Sequence, residues 1–308
     1  MAETITTNER PRQIPDRGIK GGPRIINRLP VGAEEQPYTL FRVKPYGPLI
    51  GAEIEGVDLR NPVSPELQKE LNRALLEWKV IFFRDQDITS EQQQAFARLW
   101  GELETHPFLP QGNSNEVVRF AKNDKKPGHE NNWHSDVSWR LTPALGSVLR
   151  LTEVPPLGGD TLWSDQAAAY DNLPEEVKQR IDGLTAIHDF THVFGVNLAP
   201  EELQRRQEEF PAAEHPVVRT HPETGRKTLF VNPNFTVRIV GLEQEESEAL
   251  LTYLFRHSQL PEFQVRFRWE ANSIAFWDNR ATQHYANSDY FPNRRVAERV
   301  AIVGDRPY

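Results

Sequence analysis

From Tyr38 onward, apolar positions fall into short alternating or continuous runs separated by turn residues. Segment 38–43 alternates in polarity, and 50–57 reads as a second strand beyond the Pro48 turn. Ser64-Pro65 supplies an N-cap and a first-turn proline, and Leu67, Leu71, Leu75 and Trp78 keep helical spacing behind it. The apolar run 80–83 suits a short buried strand. Thr89-Ser90-Glu91-Gln92 fits a capping box that opens a helix through Trp100. Further helices are predicted at 165–170, 174–184 and 244–256, and further strands at 147–151, 228–231, 273–277 and 296–303. Many short strands with a few framing helices predict a mainly β fold of α+β class, a double-sheet jelly roll.

Residues 1–37 break this pattern. Pro11, Pro15, Gly18, Gly21, Gly22, Pro23 and Pro30 punctuate them without a hydrophobic period, so they read as an N-terminal arm. The arm is expected to be partly disordered or packed on a neighbouring subunit, with 38–308 forming a single domain.

Composition narrows the function. Hydrophobic residues at 38% and charged ones at 26% support a packed core, and no uninterrupted apolar run is long enough to span a membrane. The start lacks a basic region followed by an apolar one, so cytoplasmic localisation is expected. With zero cysteines, disulfides, thiolate ligands and a cysteine nucleophile are excluded. A formal charge of −8 argues against a nucleic-acid partner, yet leaves room for a local cationic pocket.

The candidate chemistry centres on Trp133-His134-Ser135-Asp136 and on His284, which is followed by Arg294, Arg295 and Arg299. On a strand, positions i and i+2 share a face, so His134 and Asp136 can meet one metal. Two imidazoles and a carboxylate are the donor set of non-heme iron(II) oxygenases, which leaves the remaining coordination positions open. The pair alone carries little weight. With nine histidines and 44 acidic residues in 308, about one His-x-acid pair arises by chance. A second one, His221-Pro222-Glu223, lies in His-Pro-Glu-Thr-Gly and reads as a solvated turn. The bland alternative for His134 is a buried core histidine. What lifts the first pair is its context: Trp133, Val137 and Trp139 flank it, and His284 follows strand 273–277 and the turn-like Asp278-Asn279. Arginine suits such a site because 2-oxoglutarate, the common co-reductant, chelates metal at one end and needs a cationic anchor for its 5-carboxylate. A guanidinium matches that carboxylate bidentately and stays charged.

Several stretches then point to a family. They are Gly51-Ala52-Glu53-Ile54, Val80-Ile81-Phe82-Phe83-Arg84-Asp85-Gln86 and Asn132-Trp133-His134-Ser135-Asp136-Val137. Three more are Gly158-Gly159-Asp160-Thr161-Leu162-Trp163, His215-Pro216-Val217-Val218-Arg219-Thr220-His221-Pro222 and Trp277-Asp278-Asn279-Arg280-Ala281-Thr282-Gln283-His284-Tyr285. Through them the chain, from about Tyr38 to Tyr308, resembles the taurine/2-oxoglutarate dioxygenases. The resemblance implies a double-stranded β-helix (jelly-roll) core with iron(II), 2-oxoglutarate and O2 as cofactor and co-substrates. It implies iron binding by His134, Asp136 and His284, with Arg295 on the 5-carboxylate of 2-oxoglutarate and Thr161 as a hydroxyl donor beside it. By the same resemblance Arg299 grips a substrate sulfonate, His106 makes a second sulfonate contact, and Val137 and Phe235 wall the pocket. A surface strand residue and a loop histidine are the plain alternatives for Arg299 and His106.

The departures lie at the amine end. Where the family holds the taurine amine with a tyrosine and an asparagine, this chain has Leu109 and Glu130, and Trp139 stands where a phenylalanine is expected. Leu109 cannot hydrogen-bond, whereas Glu130 can pair with an ammonium or face solvent. The implied activity is hydroxylation of the carbon next to sulfur in taurine or a related alkanesulfonate, giving an aldehyde, sulfite, succinate and CO2. The same chemistry on an alkyl sulfate ester or another small anion is the nearer alternative, and a non-catalytic metal-binding jelly-roll protein the distant one. Dimers or tetramers are the implied assemblies.

Overall fold

The structure is a computed structural model that describes residues 19 and 21–308, so residues 1–18 and 20 of the arm expected over 1–37 lie outside the described residues. Its centre is a seven-stranded sheet. The spatial order is Arg42–Pro45, Ala52–Glu55, Val80–Phe83, Ile274–Asp278, Ala144–Glu153, Arg295–Val303, Val118–Lys122. All neighbours are antiparallel except Ala52–Glu55 beside Val80–Phe83. A smaller sheet, Gln264–Phe267, Thr161–Asp165 and Thr282–Ala286, forms a second layer.

Strand alternation explains how the layers pack. Val80 and Phe82 join Leu149, Leu151, Ala275 and Trp277 in a cluster with Trp163, Val265 and Phe267 of the smaller sheet. Phe82 stacks on Phe267 at 4.0 Å between ring centroids. Ile81 and Phe83 point the other way, against Leu71, Leu75 and Trp78 of the Pro65–Trp78 helix and Phe96 of the Ser90–Ala97 helix. Both helices start where their caps predict. The Ser64 hydroxyl accepts from Leu67 N–H, and Thr89 and Gln92 close a reciprocal capping box. The two layers of antiparallel strands with outer helices make the jelly-roll core that the sequence predicts. Among the described residues, no helix is long and apolar enough to cross a membrane.

Some elements differ from the sequence reading. The first strand begins at Arg42 rather than 38, and Val118–Lys122, Thr185–His188 and Gln264–Phe267 are additional strands. The Pro200–Glu209 helix buries none of its residues, and Glu202 pairs with Arg205 and Arg206 along its surface. An element without an apolar stripe gives no periodic signal. The described part of the arm touches the domain at several points. Ile25 exchanges hydrogen bonds with Asn172, and Arg28 pairs with Glu77 while stacking over Trp78 at 4.3 Å.

Candidate active site

His134 and His284 face each other across an isolated bridge, with His134 N–H donating to His284 C=O at 3.0 Å and the reverse bond at 2.8 Å. The Nε2 atoms of His134 and His284 lie 3.8 and 4.0 Å from Asp136 Oδ1. One donor atom from each of the three residues falls within 4.8 Å of the others. The predicted strand geometry needs correction here. His134 forms a single bridge, and Asp136 already belongs to a turn. Ser135, between them, donates to the Thr282 carbonyl at 2.9 Å. The two ligand candidates converge through that bridge and turn rather than along a regular strand.

The protonation states suit metal binding. The Asn132 carbonyl can only accept, so His134 Nδ1 donates to it at 2.8 Å, leaving the Nε2 lone pair facing Asp136. Burial pushes both imidazoles below their ordinary value, His284 well below it. Burial tends to raise the Asp136 carboxyl, but the Arg299 guanidinium, helped by the Ser147 hydroxyl, outweighs it and holds the group well below the usual carboxylate range. Arg299 Nη1 hydrogen-bonds Asp136 Oδ1 directly, and Ser147 Oγ donates to Oδ2 at 2.8 Å. Two neutral imidazoles and one ionised carboxylate on a cavity wall fit an iron(II) site.

That cavity measures about 280 Å³ and is lined by the eleven residues that the sequence assigns to metal, 2-oxoglutarate or substrate: His106, Leu109, Glu130, His134, Asp136, Val137, Thr161, Phe235, His284, Arg295 and Arg299, whereas Trp139 lies behind the wall. Arg295 and Arg299 leave the same face of the Arg295–Val303 strand four residues apart, an even spacing that keeps both on the cavity. Both are buried, at 7% exposure, which rules out the surface reading of Arg299. Arg295 Nε donates to the Gly159 carbonyl at 3.3 Å, while its buried Nη2 has no hydrogen-bond partner among the described residues. A buried guanidinium nitrogen without a partner is costly unless an anion pairs with it. Thr161 lies on the neighbouring smaller sheet, and its Oγ1 accepts from Trp269 Nε1 at 2.9 Å. With the indole donating to it, the Thr161 hydroxyl keeps its own proton for a cavity acceptor. This arginine-threonine pair fits a carboxylate such as the far end of 2-oxoglutarate.

His106 is buried too. Its Nδ1 accepts from Phe108 and Leu109 N–H, both at 3.2 Å, which places the ring proton on Nε2. Burial, reinforced by Arg299 and Arg140, pulls the imidazole down to about 3. His106 is therefore a neutral donor rather than a second cation. Val137 and Phe235 join Trp139 and Phe190 in an apolar cluster with Phe108, Val193 and Phe194 along this wall.

At the amine end the sequence left Glu130 open to an ammonium or to solvent. The ammonium it meets is the protein's own: Lys122 Nζ forms an ion pair with its Oε1, and Oε2 accepts from His129 N–H at 3.0 Å. The second correction concerns His221, read as part of a solvated turn. It is 2% exposed, and its Nδ1 accepts from Glu223 and Thr224 N–H while Nε2 donates to Asp278 Oδ2 at 2.9 Å. A turn can be tight and still buried, because backbone donors satisfy the ring.

Sequence reasoning missed four contributors: Ser147 and Asn279 at Asp136, Trp269 behind Thr161, and Lys122 beside Glu130. Asn279 alone carried a signal, as the turn residue ahead of His284.

The profile of the taurine catabolism dioxygenase TauD, TfdA family matches residues 42–301. An alkylsulfatase from Acinetobacter baylyi is 37% identical, over 83% of this chain and 83% of that protein. An alpha-ketoglutarate-dependent sulfate ester dioxygenase from Pseudomonas putida is 38% identical, over 86% of this chain and 90% of the relative. Among solved structures, a taurine dioxygenase from Burkholderia xenovorans superposes with a TM-score of 0.76 at 41% identity, covering 87% of this chain and 93% of that one.

Proposed function

The chain belongs to the taurine catabolism dioxygenase (TauD, TfdA) family, and on that premise we propose that it oxidises a small alkyl sulfate ester, or the matching alkanesulfonate, that carries no amine. It is a 2-oxoglutarate-dependent dioxygenase that uses iron(II) and O2. In this reading His134, Asp136 and His284 hold the iron, Arg295 and Thr161 hold 2-oxoglutarate, and Arg299 and His106 hold the substrate anion. Bound iron supplies oxygen activation coupled to decarboxylation of 2-oxoglutarate.

The chain's own residues do the positioning. The Arg295 fork and the Thr161 hydroxyl orient the 5-carboxylate, which leaves the keto-acid end directed at the triad. Arg299 and the His106 Nε2–H fix the sulfur oxyanion, while Val137, Phe194 and Phe235 exclude water from the alkyl chain. Overall, one oxygen atom of O2 enters succinate and the other the carbon that bears the sulfate. That hydroxylated carbon breaks its bond to the sulfate oxygen, giving an aldehyde, sulfate and a proton. With a sulfonate the carbon–sulfur bond breaks instead, and sulfite leaves.

The observation that carries the amine-free reading is the Lys122–Glu130 ion pair, which answers the carboxylate within the protein, in a cavity that the apolar Leu109 also lines. The two relatives named for sulfate ester chemistry support the ester as the first choice. The test is an aerobic assay with iron(II), 2-oxoglutarate and a panel of alkyl sulfates, alkanesulfonates and taurine, reading sulfate, sulfite and succinate together. Sulfate release matched to succinate with a simple alkyl sulfate is expected. Taurine as the best substrate overturns the reading.

A further inference from the structure

Asp136 occupies an unusual piece of backbone. Val137, directly after it, has φ 45°, a left-handed conformation that a β-branched side chain adopts only under constraint from its surroundings. One side chain holds the peptide groups of the residue before it. Asn279 Oδ1 accepts from Asp136 N–H at 2.7 Å, and Asn279 Nδ2 donates to the carbonyls of Asp136 and Ala144, both at 3.0 Å. Asn279 is buried at 1% exposure, so no water competes for these bonds.

The turn that presents Asn279 is itself fixed. The Asp278 carboxylate accepts from Arg280 N–H at 3.0 Å, from Arg280 Nε at 2.9 Å and from His221 Nε2 at 2.9 Å. Thr282 Oγ1 donates to the Asp278 carbonyl at 2.8 Å. The turn leads straight into the Thr282–Ala286 strand that carries His284. A single amide thus ties the peptide of the carboxylate candidate to the hairpin of the second histidine.

The carboxylate is oriented as well as placed. Ser147, fully buried on the Ala144–Glu153 strand, donates to Asp136 Oδ2, so that oxygen is committed. Oδ1 is the atom facing the two imidazole Nε2 atoms and Arg299.

We propose that Asn279 and Ser147 are positioning residues of the metal centre: Asn279 holds the strained Asp136 peptide in register with His284, and Ser147 restricts the carboxylate to one donor oxygen. This rests on the reading that His134, Asp136 and His284 hold iron(II). A one-oxygen carboxylate leaves one more coordination position open than a two-oxygen one, and 2-oxoglutarate and O2 together need those positions.

Ser147→Ala removes one hydroxyl without adding bulk. Iron(II) and cobalt(II) are titrated anaerobically into wild type, Ser147→Ala and Asn279→Asp, with circular dichroism confirming the fold. Asn279→Asp keeps the acceptor for Asp136 N–H and loses both donors. Loss of such an outer partner weakens metal binding by roughly 10–100-fold. That weakening is expected in both variants, together with an altered cobalt(II) visible spectrum in Ser147→Ala as the carboxylate swings to offer two oxygens. A merely structural serine leaves the spectrum of the bound cobalt unchanged. Wild-type affinity and an unchanged spectrum in Ser147→Ala overturn the proposal while leaving the metal reading intact. A wild type that binds neither metal overturns the metal reading, and this proposal with it.

Discussion

Lys122 forms an ion pair with Glu130 on the wall of the cavity that contains the histidine-carboxylate triad, and in the sheet register Lys122 stands opposite Arg295. The pair sets the charge that a substrate tail meets. Glu130→Gln is therefore expected to change kcat/KM for an alkyl sulfate by less than about fivefold, since partly exposed pairs contribute roughly 0–1 kcal/mol. Lys122→Met exposes the carboxylate and should raise activity on taurine relative to the alkyl sulfate. Competition assays with the two substrates measure both effects. An alkyl sulfate activity that collapses in Glu130→Gln contradicts the assignment.

Arg299 and Arg295 occupy one strand face but serve different anions in this account. Arg299→Leu is expected to lower kcat/KM for the sulfur oxyanion by roughly 10–100-fold, the worth of one charged hydrogen bond at about 1.5–3 kcal/mol. Binding of 2-oxoglutarate, followed by isothermal titration of the manganese(II)-loaded protein, should stay within a few-fold of wild type. Equal loss of both shows that Arg299 is not specific to the substrate.

Trp269 donates its indole N–H to Thr161, so the tryptophan should matter to 2-oxoglutarate although it is not assigned a contact with it. Trp269→Phe is expected to raise the KM for 2-oxoglutarate about fivefold, matching a hydrogen bond of ~1 kcal/mol. Thr161→Val should raise it at least as far. Substrate KM at saturating 2-oxoglutarate should barely move in either variant.

His106 yields a pH prediction for stability. Its folded value is lowered to about 3, against 6.5 as the ordinary value, so below 6.5 the unfolded chain binds a proton that the folded chain refuses. This contribution to stability is fully present above 6.5 and is lost as pH falls from there toward 3. Denaturant melts of wild type and His106→Asn across that window should show a shallower slope in the variant. Identical slopes contradict the neutral, buried histidine.

How much of this was legible in sequence depends on what each residue does. Ser64-Pro65, the Thr89 box and the apolar run from Val80 to Phe83 act locally, so their elements were readable and appear where expected. The His134 bridge was misread as a strand because its partner, His284, is remote in sequence and no local period records a single pair. His106, Arg299 and Thr161 took their roles only from the family resemblance. Lys122, Ser147 and Trp269 are ordinary strand or loop residues until the sheets close, and only then does each meet its partner. His221 shows the opposite error, a turn motif that tertiary contacts bury.

The most direct measurement is an anaerobic titration of iron(II) protein with 2-oxoglutarate, followed in the visible region. Chelation of 2-oxoglutarate to a 2-His-1-carboxylate iron(II) site produces a weak charge-transfer band, and the account predicts that band in wild type and its loss in Asp136→Ala. Absence of the band in folded wild type, or an undiminished band in Asp136→Ala, contradicts the assignment of His134, Asp136 and His284 as the metal centre.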